Sequence, residues 1–534
     1  MSSSNIATAA VPASTSTPIG RYRWIICAML FLATTINYMD RSVIGVLAPT
    51  LQYRVFHWTD LDYSYITISF MVAYAGGMVF MGSIIDKLGT RFGYTLAIGI
   101  WSICGMLHAA VRPAFSLVGF SLARFGLAFG ESGNFPAAIK TVAEWFPKKE
   151  RAFATGIFNA GSNVGAIMAP LIIPLIVAPD GTNWQFAFLT TGFFSLVWVI
   201  AWNKIYRRPE VHPKLGKAEL AYIQSDSAPE TTDKLPWRKV IPRRETWAFA
   251  IGKITDAAWW FYLFWGGKFL YDEFGLNIKE IAVPLIIIYV LADVGSIAGG
   301  WVSSNLIKRG WTVNRARKTT MAIFACMILP VMFSTQLGTK FAVNDSFFSR
   351  VQAATYTAEQ TSTVGGETRF EKVAEHVPAE VLASLHSLDG QSFSSAKEFL
   401  GAARTAVAGA KIGPMESVLI DSARSDSMYW IAVILIAIAA SAHQGWSCNL
   451  FTLVSDVFPK KATASVTGFG GMIGGVASII ANFTLGSLLT SSGPAGYFFA
   501  FLGAGSCYLI ILLIVHLLMP KMTPLGDNLE PVTT

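Results

Sequence analysis

The nine residues TVAEWFPKK at Thr141–Lys149 return late in the chain as LVSDVFPKK at Leu453–Lys461. Each copy follows a long apolar run and places an acid just before a Phe-Pro-Lys-Lys sequence. GSIIDKLGTR at Gly82–Arg91 has a weaker counterpart in GGWVSSNLIKRG at Gly299–Gly310, where Ser304 stands in place of the expected acid. Two pairs of related segments in the same order predict a fold of two parallel, related halves.

The apolar runs around these repeats indicate a membrane protein. The chain of 534 residues is 53% hydrophobic and 14% charged, whereas a soluble domain carries about 25% charged residues. The runs are continuous and about 20 residues long, which predicts membrane-spanning helices rather than barrel strands. The fold class is therefore an all-α integral membrane protein. The twelve predicted spans are 24–50, 63–85, 92–111, 115–138, 152–177, 184–206, 246–271, 280–304, 316–335, 428–451, 463–486 and 493–519.

The basic residues indicate how the chain is oriented. If the spans alternate, the Lys and Arg clusters all fall on one side, whereas the loops near 178–183 and 487–492 hold none. Cytoplasmic loops carry the excess of Lys and Arg, so both termini are predicted to be cytoplasmic. The net charge of +8 is thereby explained without a nucleic-acid partner. No signal peptide precedes the first span.

The same pattern divides the chain into regions. The predicted regions are a disordered cytoplasmic tail at 1–20, an N-terminal six-helix half at 21–206, a cytoplasmic linker at 207–245, a C-terminal six-helix half at 246–335 and 428–520, an insertion at 336–427 and a cytoplasmic tail at 521–534.

The pattern G-x3-D-x2-G-x-R, formed by Gly82, Asp86, Gly89 and Arg91, resembles the signature loop of the major facilitator superfamily. Further segments resemble its anion:cation symporter family, and within that family the bacterial hexuronate transporters. This resemblance implies a twelve-helix transporter of the bacterial inner membrane, and not an enzyme. The segments that carry the further resemblance are NYMDRS at Asn37–Ser42, RFGLAFGESGNFPAAIK at Arg124–Lys140, Glu144–Ala166, WWFYLFW at Trp259–Trp265 and His443–Pro459.

The insertion at 336–427 has no counterpart in the family pattern and falls on the periplasmic side. Arg369–Leu388 and Ser395–Gly413 have helix-like spacing of apolar residues, which predicts a small helical periplasmic insertion. A tolerated loop without a role in transport is the alternative.

Four ionisable residues in two spans form the main candidate site. Asp40 and Arg41 are consecutive on a helix, so they point about 100° apart and each needs another partner. Arg124 and Glu131 lie two turns apart on one face of the fourth span. Such residues in a membrane span are expensive and usually functional.

These charges offer a way to couple a proton to an anion. When one of the acids takes up a proton, the arginines lose compensation, and a substrate carboxylate can supply it. The resemblance implies that Asp40 and Glu131 are the proton-coupling acids and that Arg41 binds substrate. Static salt bridges that brace the helices are the alternative reading.

Specificity requires polar groups for the hydroxyls of the substrate. The resemblance favours Tyr38, Tyr74 and Ser162 or Asn163, whereas the remaining amides serve equally well as interhelical hydrogen-bonding groups. The aromatic residues Trp259, Trp260, Tyr262 and Trp265 cannot all face one cavity. The predicted substrate contacts are Tyr38, Arg41, Tyr74, Arg124, Asn159, Ser162, Asn163, Gln444 and Asn449.

Two smaller features complete the candidate site. Lys253 and Asp256 lie three residues apart and can form an auxiliary ion pair, or simply neutralise each other. Gly82, Asp86, Gly89 and Arg91 are predicted to form a turn that holds the cytoplasmic gate; a solvated turn is the alternative.

The sequence thus predicts a symporter that imports a hexuronate, glucuronate or galacturonate, with protons. Another sugar acid such as galactonate or glucarate, coupling to Na⁺, and a uronate sensor without net transport stay open as alternatives. No metal spacing or cofactor motif occurs, so the proton gradient is the expected energy source. The expected partners are the sugar-acid anion, protons and the lipid bilayer, and the expected state is a monomer.

Overall fold

The computed structural model describes residues 20–178, 181–226, 237–336, 341–364, 367–407, 412–424, 429–526 and 528–531. The predicted disordered tail at 1–20 therefore lies, except for Gly20, outside the described residues. Within the described part the chain is mostly helical, as predicted.

Six helices form the N-terminal half. Thr59 begins the second of them with a capping box, in which Asp62 N donates to Thr59 Oγ1 and Thr59 N donates to Asp62 Oδ2. A π-helical turn at Thr50–Val55 extends the first. The helices are α1 Tyr22–Pro49, α2 Asp60–Leu107, α3 Ser116–Glu131, α4 Asn134–Trp145, α5 Lys148–Ile176 and α6 Gln185–Ile205.

Helix α2 covers two of the predicted spans and kinks between them. The kink lies at Gly89, whose φ of 77° and ψ of 158° are not helical. A positive φ favours glycine, so this position of the signature loop requires a residue without Cβ. The predicted loop between the second and third spans is thus a sharp kink within one continuous helical stretch.

The linker and the first part of the C-terminal half follow. A 3-10 turn at Lys253–Thr255 separates two helices that together cover the seventh predicted span. Gly275 ends the second of these in the left-handed conformation, and its N donates to Tyr271 O at 2.8 Å, as in an αL cap. The helices are α7 Lys217–Ile223, α8 Trp237–Val240, α9 Arg244–Gly252, α10 Asp256–Phe274, α11 Ala282–Lys308 and α12 Val313–Ile328.

The insertion is a folded unit of short helices and strands around an aromatic core. Phe399 lies 5.7–6.1 Å from the ring centroids of Phe341, Phe347 and Phe393. Strands β1 and β4 pair antiparallel, as do β2 and β3. The elements are β1 Phe341–Ala342, α13 Asp345–Ala353, β2 Thr355–Val364, β3 Glu367–His376, α14 Ala379–Leu385, β4 Ser392–Phe393, α15 Ala396–Ala406 and α16 Glu416–Ala423.

The helical prediction for Arg369–Leu388 is wrong over its first part. Residues up to His376 form a strand, paired along its length with the Thr-rich strand β2 from Thr355 onward. A neighbouring strand supplies hydrogen bonds that the apolar spacing of a single segment cannot reveal. The prediction for Ser395–Gly413 is confirmed over Ala396–Ala406, helix α15, which Ser395 caps by accepting from Glu398 N. Residues 408–411 lie outside the described residues.

Three long helices complete the C-terminal half, so helices occupy all twelve predicted spans. By length and composition, nine helical segments among the described residues are apolar enough to cross a membrane. Helix α1, the first part of α2, and α9–α10 are not among them; α1 carries the charges of Asp40 and Arg41. The last helices are α17 Tyr429–Val457, α18 Lys460–Ser492 and α19 Ala495–Leu518.

The insertion and the linker lie at opposite ends of the helical body. At the start of α1, Arg23 pairs with Glu150 at 2.8 Å and with Glu219 of linker helix α7 at 3.1 Å. At the other end of α1, Arg54 lies 3.5 Å from Glu416 of the insertion. Helix α1 has 28 residues, so these ends are about 42 Å apart. We call the insertion end the outer end.

Candidate functional site

The centre of the N-terminal half holds a buried ion pair between α1 and α3. Arg41 Nε donates to Glu131 Oε2 at 2.9 Å, and both residues are at most 2% exposed. Arg41 Nη2 also donates to Asn37 Oδ1 at 3.2 Å, one turn earlier on α1. The pair therefore joins the two predicted charged spans, and it uses only one carboxylate oxygen of Glu131.

Arg124 lies beside this pair with most of its donors unused. It is fully buried, and its Nη2 donates to the backbone oxygen of Arg41 at 2.7 Å. Within the described part of the chain, Arg124 Nε and Nη1 and Glu131 Oε1 have no hydrogen-bond partner. A guanidinium with two unpaired nitrogens in a buried site is well suited to bind a carboxylate.

Asp40 points away from the arginines, towards α6. Its Oδ2 accepts from Ser195 Oγ at 2.9 Å, and Ser195 Oγ accepts from Trp101 Nε1 at 3.1 Å. Asp40 Oδ1 has no partner among the described residues. We use the name central cluster for Asp40, Arg41, Arg124 and Glu131; as a set its formal charge is zero.

Aromatic rings surround the Arg41 guanidinium. Its central carbon lies 4.5 Å from the ring centre of Tyr38, 4.6 Å from Tyr74 and 5.3 Å from Phe70. Trp260 of α10, in the other half, lies 5.8 Å away. The predicted contacts Tyr38 and Tyr74 thus stand at the cluster. Cation–π contacts of this kind stabilise a desolvated guanidinium by about 2 kcal/mol.

The predicted polar residues of α5 lie on the helix that packs against α1, next to the central cluster. Gly165 packs against α1 so closely that an added Cβ would lie 2.9 Å from Tyr38 Cβ. Ser162 Oγ bonds within its own helix, to Asn159 O at 2.6 Å and Asn163 Oδ1 at 3.3 Å. Asn159 is exposed and Asn163 is half-buried.

The predicted amides of α17 differ from each other. Asn449 Nδ2 donates to Gly299 O of α11 at 3.0 Å, which joins the two helices, and to Gly445 O of its own helix at 2.9 Å. Gln444 is half-buried. Its neighbour His443, which the sequence analysis did not select, stacks on Trp259 with ring centres 6.2 Å apart.

Lys253 and Asp256 form an ion pair at the start of α10. The Lys253 ammonium also lies 4.3 Å from the ring centre of Phe451. The pair neutralises itself, and the side chain of Asp256 keeps 25% of its surface exposed. Its contacts lie within the C-terminal half, apart from the central cluster.

The residues of the signature loop bond within the N-terminal half. Arg91 Nη2 donates to Asn203 O near the end of α6 at 2.6 Å. Gly89 supplies the kink, whereas a Cβ at Gly82 would meet no atom within 4 Å. The side chain of Asp86 lies outside the described residues. The repeat acid Glu144 accepts from Thr90 Oγ1 at 2.7 Å, next to this kink.

The sequence analysis missed a second set of buried charges at the outer end. Lys268 and Asp272 of α10 form an ion pair, and Lys268 Nζ also contacts Asp60 Oδ1 of α2 at 2.7 Å. Lys397 of the insertion reaches Asp60 Oδ2 at 2.6 Å. We name Asp60, Lys268, Asp272 and Lys397 the outer cluster. The sequence contained one sign of this cluster: Lys268 and Asp272 lie four residues apart in an apolar run, a spacing at which two helical side chains can pair.

Among the described residues, no three His, Cys, Asp or Glu side chains come together in a way that could hold a metal ion. A cavity of about 560 Å³ lies between α10, α18 and α19, bordered by Phe261, Trp265 and Asn482. No member of the central cluster borders it, and its lining is largely apolar.

Comparisons with known proteins agree with this architecture. Residues 30–351 match the family model of the Major Facilitator Superfamily. A galacturonate transporter of Dickeya chrysanthemi is 32% identical over 315 residues, which is 58% of this chain and 89% of that protein. A hexuronate transporter of Escherichia coli K12 is 32% identical over 316 residues, covering 58% of this chain and 71% of the relative. A D-galactonate transporter of Escherichia coli O6:H1 is 28% identical over 322 residues, with 58% and 73% covered.

Solved structures share the fold at low sequence identity. A bacterial homolog of the human lysosomal transporter Spinster, in an inward-facing and occupied conformation, has a TM-score of 0.62 at 16% identity, covering 93% of this chain and 97% of that one. A D-xylose-proton symporter has a TM-score of 0.60 at 12% identity, covering 96% and 100%.

Proposed function

Because this chain belongs to the Major Facilitator Superfamily, it is a membrane transporter and not an enzyme, and we propose that it imports a hexuronate, glucuronate or galacturonate, together with protons. The relatives named galacturonate and hexuronate transporters, at 32% identity, support this class of cargo. The named D-galactonate transporter, at 28% identity, supports another sugar acid as the second candidate.

One observation carries the proposal: the buried guanidinium of Arg124 has N–H donors without a partner among the described residues and lies beside the Glu131 carboxylate, which is already paired. Arg124 keeps Nε and Nη1 without a partner within the described chain, next to the Arg41–Glu131 pair. A monocarboxylate can accept from one of those nitrogens and from the second N–H of Nη2, and such a bidentate contact fixes its orientation. Tyr38 and Tyr74, at the same cluster, offer hydroxyls to the sugar.

The coupling follows from the charge of the central cluster. With all four groups ionised its charge is zero, so an entering anion would leave a buried negative charge. A proton on Glu131 raises the charge to +1, releases Arg41, and makes room for one carboxylate. Anion and proton therefore favour each other's binding, and by linkage the effect is reciprocal. Asp40, bonded to Ser195, is the second proton-carrying acid in this proposal.

The remaining assignments are parts of the same proposal. All twelve helical segments cross the bacterial inner membrane, both termini are cytoplasmic, and the protein works as a monomer energised by the proton gradient. The two halves rock about the central cluster. Gly82, Asp86, Gly89 and Arg91 serve the cytoplasmic gate; Lys253 and Asp256 are auxiliary. Asn159, Ser162, Asn163, Gln444 and Asn449 complete the proposed polar lining.

Uptake of labelled glucuronate into proteoliposomes tests the proposal. The native protein should accumulate glucuronate under an inward proton gradient. Glu131→Gln should exchange labelled for unlabelled glucuronate across the membrane without accumulating it, because the neutral amide holds the cluster in its anion-binding state. The matched control is Glu210→Gln, an exposed acid of the linker, which should accumulate like the native protein.

Two outcomes would contradict the proposal. A native protein that neither accumulates nor exchanges uronates, but does so with galactonate, would shift the cargo to the second candidate. A Glu131→Gln variant that accumulates normally would remove this acid from the coupling.

A further inference from the structure

One acid of the N-terminal half binds both a lysine of the insertion and a lysine of the C-terminal half. Asp60, at the start of α2 in the N-terminal half, is 3% exposed and contacts two lysines. Lys268 comes from the C-terminal half at 2.7 Å, and Lys397 comes from insertion helix α15 at 2.6 Å. Gln52 Nε2 also donates to Asp60 Oδ1 at 2.7 Å. Three separate parts of the chain thus meet at one carboxylate.

A second acid, which belongs to the insertion, contacts both halves of the transporter. Glu416, on insertion helix α16, is 1% exposed and pairs with Arg404 of its own domain. It contacts Arg54 of the N-terminal half at 3.5 Å and accepts from Tyr271 OH of the C-terminal half at 3.2 Å. The insertion therefore bridges the two halves at two independent points.

The insertion is seated on the C-terminal half. Arg424 Nη2 donates to the backbone oxygen of Gly275, the residue that ends α10, at 2.9 Å. An added Cβ at Gly275 would lie 2.4 Å from Ile420 and 3.2 Å from Ala396. Because these side chains pack closely against the Gly275 backbone, the insertion and the end of α10 form one packed unit.

The outer ends of the two halves are themselves in contact. An added Cβ at Gly45 of α1 would lie 2.3 Å from the backbone oxygen of Leu263 in α10. Ser64 of α2 packs equally closely against Gly486 of α18. The outer side is therefore closed here, and opening it requires the start of α2 to move away from α10 and α18.

From this geometry we propose that the insertion is a lock on the outer gate: Lys397 and Glu416 hold the N-terminal half against the unit formed by α10 and the insertion. Opening to the outside must break the contacts of Asp60 with Lys268 and Lys397, and that of Arg54 with Glu416. Glu273, 3% exposed on α10, is a further acid next to this cluster. The lock stabilises the state that is closed to the outside. The insertion thereby takes part in the conformational cycle of the transporter.

Cysteine labelling from the two sides tests the lock. In a variant without the native cysteines, Ser64→Cys reports the outer gate, since Ser64 is fully buried in the closed state. Asn159→Cys is exposed on α5 and lies about 17 Å along that helix from its linker end, in the half of the helix nearer the inner side, which it reports. Lys397→Met should raise the maleimide labelling rate at Ser64→Cys about tenfold, as expected for losing one charged hydrogen bond. The rate at Asn159→Cys should fall, because opening one side closes the other.

The controls separate a lock from a loosened fold. Lys397→Arg keeps the charge and should leave both rates near those of the parent. Arg350→Met, an exposed residue of the same domain, should change neither rate. Equal rates for Lys397→Met and the parent would overturn the lock, and so would a rise at both reporter sites. The labelling uses no substrate, so its failure and the failure of the hexuronate proposal are distinguishable.

Discussion

The central and outer clusters contain the same charges, two acids and two bases, but use them differently. In the central cluster, Asp40 Oδ1, Glu131 Oε1 and two Arg124 nitrogens have no partner within the described chain. In the outer cluster Lys268 contacts Asp60, Asp272 and the Tyr53 hydroxyl, and Asp272 also accepts from Tyr497 OH at 2.9 Å. Unsatisfied groups in a buried site leave room for a ligand and a proton, whereas satisfied groups hold parts together.

The clusters also differ in what they connect. All four central charges belong to the N-terminal half, and among the described residues the aromatic rings of Trp260 and Phe264 reach them from the other half. The outer cluster joins both halves and the insertion. Substitutions in the central cluster should therefore change binding and coupling, and substitutions in the outer cluster should change the balance between conformations.

The largest effect on transport is expected from Arg124→Gln. This change removes the guanidinium with free donors, and exchange of labelled glucuronate should fall about 100-fold, the equivalent of losing one strong bidentate contact of about 3 kcal/mol. The fold should survive, since Arg124 makes one described hydrogen bond, to Arg41 O. Arg124→Lys, which keeps the charge but not the bidentate geometry, should be intermediate. Normal exchange by Arg124→Gln would refute the role of free donors.

The largest effect on the free energy of unfolding is expected from Arg41→Gln. Arg41→Gln leaves the Glu131 carboxylate buried without its partner and should lower the free energy of unfolding by about 3–5 kcal/mol. The double variant Arg41→Gln with Glu131→Gln should recover most of this loss, because neither charge remains. Denaturant unfolding in detergent measures both. A double variant as unstable as the single one would mean that packing, and not charge, decides.

A smaller effect is expected where the halves touch. Gly45→Ala should lower the free energy of unfolding of the closed state by about 1–3 kcal/mol, because its methyl group meets the Leu263 carbonyl. Labelling of Ser64→Cys should become faster. In the matched control, Gly99→Ala, the new methyl group meets no atom within 4 Å and should be neutral or slightly stabilising. Equal behaviour of the two variants would show that the outer contact is not tight.

The smallest effect concerns the titration of Lys397. Burial lowers the pKa of its ammonium, but the carboxylates of Asp272 and Asp60 outweigh burial, so the pKa stands above its ordinary value. The stabilisation from this lysine is fully present below the unfolded pKa of about 10.4 and is lost as the pH rises through the folded value. Competitive amine labelling with mass spectrometry should give Lys397 a higher midpoint pH than in the unfolded chain. An equal midpoint would contradict the ion pair with Asp60 and the effect of the nearby Asp272 charge.

Much of the helical body could be predicted from apolar run lengths, and the signature loop predicted the turn that became the kink at Gly89. The geometry of an α-helix also predicted that Asp40 and Arg41 do not pair. Their actual partners, Ser195 and Glu131, lie far along the chain, and only the packing of helices determines such neighbours.

The insertion and the outer cluster show where sequence reasoning fails. The hairpin at Thr355–Val364 and Glu367–His376 depends on cross-strand pairing, which the apolar spacing of one segment does not encode. Lys268 and Asp272 had a readable spacing, but Asp60 and Lys397 come from regions separated by hundreds of residues. Their meeting depends on the folded insertion.

The coupling of proton and anion at the central cluster is tested most directly by counting the protons that are taken up when the anion binds. Calorimetry of glucuronate binding in two buffers of different protonation enthalpy gives this number. Between about pH 6 and pH 9, the native protein should take up at most about one proton per anion, and Glu131→Gln should take up fewer, with any remaining uptake due to Asp40. Anion binding by the native protein without any proton uptake across this range would contradict coupling through the central cluster.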